Sequence, residues 1–371
     1  MQEKEKIEKN VSSGLLGFAT ADALGVPIEF TTRESHIKKP LTEMVGYGSH
    51  KVPEGTWSDD TSMTIATMDS IIKSKNVDFD DIMKKYCDWY IKANYTATDK
   101  VFDIGIGTRN ALASYYNKKT SAIESGGKEE RNNGNGSLMR MLPIVLFLHY
   151  ANKSEDDKTN IINNYSSLTH GHEISKLGCK IYYDFMEDLL NGKSIKESYA
   201  GLAKKDYSDS YSKETISKYS RILEGNLENI PETQIKSSGY IVNTLEAAIW
   251  SSLKSDNYEE AVVKAINLGD DTDTVGAITG SIAGIAYGKE NIPKRWLSKL
   301  RKKELLDKLS LDYSNVLEEV NKKHSDRFYD EEGFVNDDEL FKMLTSESDD
   351  SQEMQFEKSI WTDELKLNEK N

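Results

Sequence analysis

The chain has 371 residues, 37% of them hydrophobic and 30% charged, and carries a net charge of −14. That length allows one large domain or two smaller ones, with enough apolar material for a core. The acidic balance argues against nucleic acid as a partner. Two cysteines, Cys87 and Cys179, cannot build a disulfide framework and fit a reducing compartment. Met1-Gln2-Glu3-Lys4-Glu5-Lys6 lacks the apolar core of a signal peptide. No apolar run reaches the ~20 residues of a membrane helix, residues 275–287 being the longest candidate. The expected location is the cytoplasm, away from membranes.

In chain order, residues 3–10 read as a charged lead-in, and Ser12-Ser13 as a cap for the helix that follows. Gly25-Val26-Pro27 should end that helix, and residues 33–55, rich in Gly, Pro and Ser, read as loop. A helix is expected from Thr61, burying Met63, Ala66, Met68, Ile71 and Ile72. Another is expected over 81–91, with Ile82, Tyr86, Trp89 and Tyr90 as core. Residues 121–133 read as exposed loop and 139–150 as an apolar helix. Further helices are expected near 174–190, 213–227, 240–253, 258–267 and 275–287. There is no series of alternating strands and no internal repeat. The predicted fold class is all-α, with a catalytic domain over 10–322 and an acidic extension over 323–371. Residues 325–371 hold −10 of the −14 charge. Gly276, Gly280, Gly284 and Gly288 recur every fourth residue, although glycine costs about 1 kcal/mol against alanine in an exposed helix. Such a row makes a smooth ridge for another helix, so this helix should be buried and central.

Two acidic segments could carry chemistry, Ser58-Asp59-Asp60-Thr61 and Asp271-Thr272-Asp273-Thr274. Each stands where a loop becomes a helix, so helix capping explains either one alone. Both, however, pair carboxylates with hydroxyls, and the second adjoins the glycine-rich helix. Buried carboxylates need partners. Hard oxygen donors without Cys or His point to Mg2+, Mn2+ or Ca2+ rather than Zn2+. A calcium loop starting at Asp271 fails at its fifth ligand position, Val275, and no phosphate-binding P-loop is present. His170 and His172 have no further His or Cys to complete a zinc site.

Seven segments taken in order resemble the ADP-ribosylglycohydrolases. They are residues 17–25 with Glu29-Phe30, residues 55–61, Phe102-Asp103-Ile104-Gly105, residues 133–143, Thr169-His170, residues 239–248 and residues 269–276. The third and sixth resemble the arginine-directed branch. The resemblance implies a compact all-α fold with two divalent cations in a cleft, Mg2+ with Mn2+ as the alternative. By position, Ser58, Asp59 and Asp60 would hold one ion, and Asp271, Asp273 and Thr274 the other. Glu29, Asp60 and Asp103 would be catalytic, with Glu29 or Asp103 as the acid that protonates the departing group. Gly105, Asn135, Gly136, Ser137, Met139 and His170 would bind the substrate. Tyr240 matches a residue that stacks on adenine, against a plain reading as a core tyrosine. The implied substrate is ADP-ribose on a protein, with arginine the favoured acceptor and serine, a nucleic-acid base or O-acetyl-ADP-ribose as alternatives. Departures from the family pattern include Ser58 for Thr, Ala21 for Gly, Asn243 for Asp, and Asp270, which adds negative charge beside the second acidic segment.

Two other readings compete. Asp271-Thr272-Asp273-Thr274-Val275 superficially fits the start of a haloacid-dehalogenase-type phosphatase, but only about 100 residues follow and they read as helices. The acidic extension, with Phe328, Phe334, Phe341, Phe356, Ile360 and Trp361, reads as a solvated tail, or as a segment that docks an ADP-ribosyltransferase toxin or covers the cleft.

Overall fold

The glycines spaced by four lie along a helix at the centre of the fold. The computed structural model describes residues 2–325, with side chains from 3 to 322. Its principal helices are α1 (Gln2–Gly25), α2 (Asp59–Ser74), α3 (Phe79–Lys92), α4 (Ile106–Tyr116), α5 (Leu142–Ala151), α6 (Glu155–Ser167), α7 (Glu173–Leu190), α8 (Ile241–Leu253), α9 (Tyr258–Ile266), α10 (Thr272–Tyr287) and α11 (Lys303–Ser325). Shorter helical turns join them, and no β-strand occurs among the described residues, only isolated bridges. The all-α expectation holds. Residues 1–319 make one compact unit, and the second, 320–371, lies mostly outside the described residues. The first three residues of the predicted extension over 323–371 belong to α11, and the rest of it, with its aromatic residues, lies outside the described residues.

Helix α10 is buried from Thr272 to Gly284 and packs against α1, α8 and α9. Among the described residues, its contact with α1 is the most extensive of any helix pair. The glycine spacing explains why. A Cβ at Gly280 would stand 2.3 Å from the Gly17 carbonyl oxygen, and one at Gly284 2.3 Å from that of Ser13. A Cβ at Gly17 would in turn stand 2.4 Å from the Gly280 carbonyl oxygen. The two backbones touch, which only hydrogen side chains permit. Gly288, the fourth of the row, leaves the helix and caps it at φ 86°.

Several expectations are corrected. Ser12 and Ser13 do not start α1 but lie inside it. Ser12 Oγ donates to the Glu8 carbonyl at 2.7 Å, and Ser13 Oγ accepts from the Lys289 amide at 3.0 Å. The charged lead-in is therefore helical, because its apolar Ile7 and Val11 are fully buried in register with the rest of the helix. The stretch from Glu3 to Ile28 is long and apolar enough to cross a membrane, contrary to the sequence expectation, and 94% of its apolar window is buried inside the protein. A helix apolar on every side is what a central position demands. The helix expected over 213–227 is broken into Lys213–Lys218 and Ser220–Leu223, and that expected from Met139 starts at Leu142, after a 3-10 turn over Asn135–Arg140.

Candidate active site

The site forms where helix ends converge. Helix α2 begins at Asp59, with Ser58 as its cap, and α10 begins at Thr272, with Asp271 as its cap. Both starts abut the end of α1. A Cβ at Gly25 would lie 2.5 Å from Asp273 Cα, so no side chain separates α1 from the first turn of α10. One turn earlier, fully buried Asp22 accepts from the Ser58 amide at 2.9 Å, the Thr61 amide at 3.1 Å and the Thr61 hydroxyl at 2.5 Å. A carboxylate at the amino end of α2 complements the helix dipole and fixes the turn that carries Asp59 and Asp60. The sequence reading passed over Asp22, because nothing local marks a helical aspartate as a clamp on a segment 36 residues away.

Between these ends lies a cleft of about 730 Å3. Of the predicted site residues, Glu29, Asp59, Asp60, Asp103, Gly105, Asn135, Gly136, Met139, His170, Asp271 and Thr274 line it. Asp273 sits behind this surface at 1% exposure, with carboxylate oxygens of Glu29, Asp271 and Asp273 all within 4.8 Å of one another. Ser58 is buried as the α2 cap, its Oγ accepting from the Asp60 amide at 3.2 Å. Ser137 Oγ points away into the core and accepts from Cys179 at 3.5 Å, so its side chain is spent on packing. Tyr240 caps α8 and is half-buried, but it is not among the residues lining this cleft. Asp270 is exposed and also does not line the cleft. Its backbone pairs with the loop after α1, accepting from the Phe30 amide at 2.7 Å and donating to the Thr31 carbonyl at 2.8 Å.

The electrostatics are those of carboxylates that lack counter-ions. Burial, reinforced by the neighbouring carboxylates, pushes Asp59, Asp60 and Asp273 well above the usual carboxylate range. Burial raises Asp271 too, against the pull of its hydrogen bond from Asn135, and lifts Asp22 to about 7. Glu29 is pushed up to about 11, by burial first and then by Asp103 and Asp271. One oxygen each of Asp60 and Asp273 is buried without any hydrogen-bond partner. A buried acceptor left unpaired is costly. Clustered hard oxygens with orphaned lone pairs are the donor set of a divalent cation, so these residues fit a metal centre.

That charge has a measurable sign. A carboxylate whose folded pKa is raised binds more protons folded than unfolded. Its stabilising contribution is complete below the ordinary carboxylate range and is lost as pH rises toward the folded pKa. Metal-free protein should therefore melt lower at about pH 8 than at about pH 5.5, with Asp22 and Glu29 titrating across and beyond that window. Cations compete with those protons, so the rise in melting temperature on adding Mg2+ should be larger at the higher pH. Thermal melts in EDTA and in Mg2+ at both values check this. An equal rise at both values would mean the cluster does not bind the ion.

The opposite wall carries the polar loops. Asn135 donates to Asp271 Oδ2 at 2.7 Å and to Thr244 Oγ1 at 2.9 Å, which orients its amide. His170 is buried with Nδ1 2.8 Å from Thr169 Oγ1, while its Nε2 edge faces Gly107, Gly134 and Gly136. Burial and nearby Arg140 lower its pKa to about 3, so it stays neutral. A Cβ at Gly136 would come within 2.7 Å of the His170 ring, which is why that position is glycine. Arg140 is fully buried beneath this loop. Its guanidinium donates to the Gly136 carbonyl, to Thr169 Oγ1 at 2.9 Å, to the Tyr165 carbonyl at 3.1 Å and to Tyr86 Oη at 3.0 Å. It stacks between the Tyr86 and Tyr165 rings, and among the described residues no carboxylate bonds it.

Sequence reasoning also missed His50, whose Nε2 bonds Glu29 and lies 3.9 Å from Asp103 Oδ1. Its ring packs against Phe30 and Phe102. The only hint was its place in a loop otherwise read as irregular. Phe30 and Asp103, both lining the cleft, hold left-handed backbone at φ 61° and 55°. For non-glycine residues this is costly and is characteristic of functional sites.

Comparison with known proteins points to one family. The family profile described as ADP-ribosylglycohydrolase matches residues 3–325. An ADP-ribosylarginine hydrolase, Tri1 of Serratia proteamaculans, is 33% identical over 83% of this chain and 79% of its own. The ADP-ribosyl-[dinitrogen reductase] glycohydrolase of Rhodospirillum rubrum is 27% identical over 77% of this chain and 88% of its own. Among solved structures, a chain of an ADP-ribosylglycohydrolase-related protein complex superposes with TM-score 0.70 at 30% identity, over 84% of this chain and 99% of that one. The chain belongs to the ADP-ribosylglycohydrolase family.

Proposed function

We propose that this protein removes ADP-ribose from arginine side chains of modified proteins by hydrolysing the N-glycosidic bond at C1″ of the distal ribose. The observation that carries the reading is the knot of buried, under-paired carboxylates flanked by Asp103 on the open side of the cleft. The arginine-directed relatives support the acceptor. Ser58, Asp59 and Asp60 would hold one divalent cation and Asp271, Asp273 and Thr274 a second, with Mg2+ preferred and Mn2+ the alternative. Such ions, when bound, supply Lewis acidity toward the ribose hydroxyls and lower the pKa of a water.

The chain's own groups do the rest. The transition state of glycoside hydrolysis gathers positive charge on the ring, and the carboxylates of Asp59, Asp60 and Asp103 lie around the cleft where that charge would develop. Asp103 lies at the rim, suited to a guanidinium. Glu29, bonded to the His50 ring that orients it, is the preferred acid for the departing guanidine. Asn135 and neutral His170 meet the ribose and pyrophosphate as fixed hydrogen-bonding groups, and the glycines beside them let a phosphate approach the backbone. The test is release of free ADP-ribose from an ADP-ribosylated arginine substrate in Mg2+ or Mn2+ and then in EDTA. Release that EDTA abolishes supports the proposal. No release under any metal overturns the arginine linkage.

A further inference from the structure

A second groove adjoins the cleft, and its charge is opposite. It measures about 970 Å3 and lies between residues 50–54, 97–102 and 298–302. Three of its five cations, Lys299, Arg301 and Lys302, come from one basic run over residues 294–303, and the fold brings Lys51 and Lys100 to it from two other segments. Two of them are neutralised locally, Lys299 by Glu54 at 3.2 Å and Lys302 by Asp99 at 2.7 Å. Lys51, Lys100 and Arg301 are exposed and form no ion pair among the described residues. The groove thus keeps three uncompensated positive charges on a chain whose total is −14.

The groove lies beside the active site, across the His50 and Phe102 rings. His50 and Phe102 line it, their rings 5.1 Å apart. The same His50 bonds Glu29 on its other side, and Phe102 is the chain neighbour of Asp103. The basic surface therefore begins one ring's thickness from the carboxylates at which the acceptor leaves. A polypeptide whose arginine enters between Glu29 and Asp103 must run its flanking residues out past this point.

We propose that the groove of Lys51, Lys100 and Arg301 binds an acidic segment flanking the modified arginine of the protein substrate. The inference rests on the arginine reading above and adds the sequence context that the enzyme selects. A peptide fits better than nucleic acid. Three free cations match a few Asp or Glu residues, whereas a nucleic-acid strand is held by a longer run of phosphate contacts. Rim charges of this kind act mainly through encounter and through salt-sensitive affinity.

The experiment compares three substrates with the full-length protein in Mg2+. They are free ADP-ribosylarginine, an ADP-ribosylated arginine peptide with flanking Asp and Glu, and the same peptide with those positions changed to Ser. The wild type should have the lowest KM for the acidic peptide, with the advantage fading as salt rises. The triple variant K51E/K100E/R301E should raise that KM about tenfold or more. It should leave kcat, and the kinetics of free ADP-ribosylarginine, unchanged. A wild-type KM indifferent to peptide charge, or a triple variant that treats both peptides as the wild type does, overturns the groove proposal alone. A wild type inert on free ADP-ribosylarginine overturns the arginine reading, and the groove's role with it. Faster turnover of ADP-ribosylated single-stranded DNA than of the acidic peptide, lost in the same variant, overturns the peptide in favour of nucleic acid.

Discussion

Changing Asp60 to Asn, or Asp273 to Asn, should leave a folded protein with kcat/KM lowered on the order of 1000-fold, about 4 kcal/mol of transition-state stabilisation. The two residues come from the starts of different helices, yet each has one buried oxygen with no protein partner. The amide keeps the size of the carboxylate but removes a negative charge and replaces one acceptor oxygen by a donor. Without metal, the same change relieves repulsion in the carboxylate knot. The apo variant should therefore melt at or above the wild type while its stabilisation by Mg2+ shrinks. That pairing, a firmer apo protein and a poorer enzyme, separates a metal role from simple helix capping. Loss of an N-cap lowers stability, typically by about 1 kcal/mol, and need not touch turnover. Melting curves with and without Mg2+, beside steady-state kinetics, give both readings. Near-wild-type turnover in either folded variant would remove the metal centre from the mechanism.

Arg140→Leu should be the most damaging change outside the acidic knot. Four acceptors, the Gly136 and Tyr165 carbonyls, Thr169 Oγ1 and Tyr86 Oη, lose their donor together. Breaking a buried charged network costs about 3–5 kcal/mol. The relief of desolvating an unpaired cation offsets part of that, so a loss of about 2–4 kcal/mol is expected by chemical denaturation. Affinity for ADP-ribose should fall as well, by roughly tenfold to a hundredfold, measured by calorimetry. The guanidinium ties down both Gly136 and, through Thr169, the His170 ring. It also places a positive charge under a loop suited to receive phosphate. Arg140→Lys keeps the charge but lacks the flat fork that reaches all four acceptors, so it should restore less than half of the lost affinity. Full affinity in Arg140→Leu, with stability alone reduced, would make this arginine a plain core prop.

Much of this architecture could be read from the residues. The glycine row forecast a buried central helix, and its partner's Gly17 and Ala21 sit where that ridge needs small groups. The acidic turns were legible as a pair because both set carboxylates beside hydroxyls at a helix start, whereas the Asn135–Gly136 loop was marked only by its likeness to the family motif. Elements held by long-range contact were not legible. Ser12 and Ser13 look like a cap in any short window, and only the burial of Ile7 and Val11 carries the helix past them. The polar helix α6 and the last helix, α11, show weak local apolar runs and were not anticipated, although Tyr165 and Tyr313 are fully buried. Asp22, His50 and Arg140 act across 36, 21 and 29 residues of chain respectively. A partner that distant leaves no mark on spacing. Ser137 shows the converse, since its motif reads as ligand-binding while its hydroxyl faces Cys179.

The two sides of the cleft also differ in how freely they can vary over generations. On one side, backbone lies against backbone where Gly25 meets the first turn of α10 and where Gly280 meets Gly17, so a single added methyl there would push α1 and α10 apart. The other side is loop, with Phe30 and Asp103 in left-handed backbone and exposed residues beyond them. Mutation can rework that rim, its rings and its charges, without moving Asp60 or Asp273. Descendants of such a scaffold can exchange one modified protein for another while keeping the same bond-breaking apparatus. Directed evolution toward a new acceptor should accordingly concentrate its diversity between residues 30 and 54 and between 97 and 106, with His50 and Asp103 held fixed.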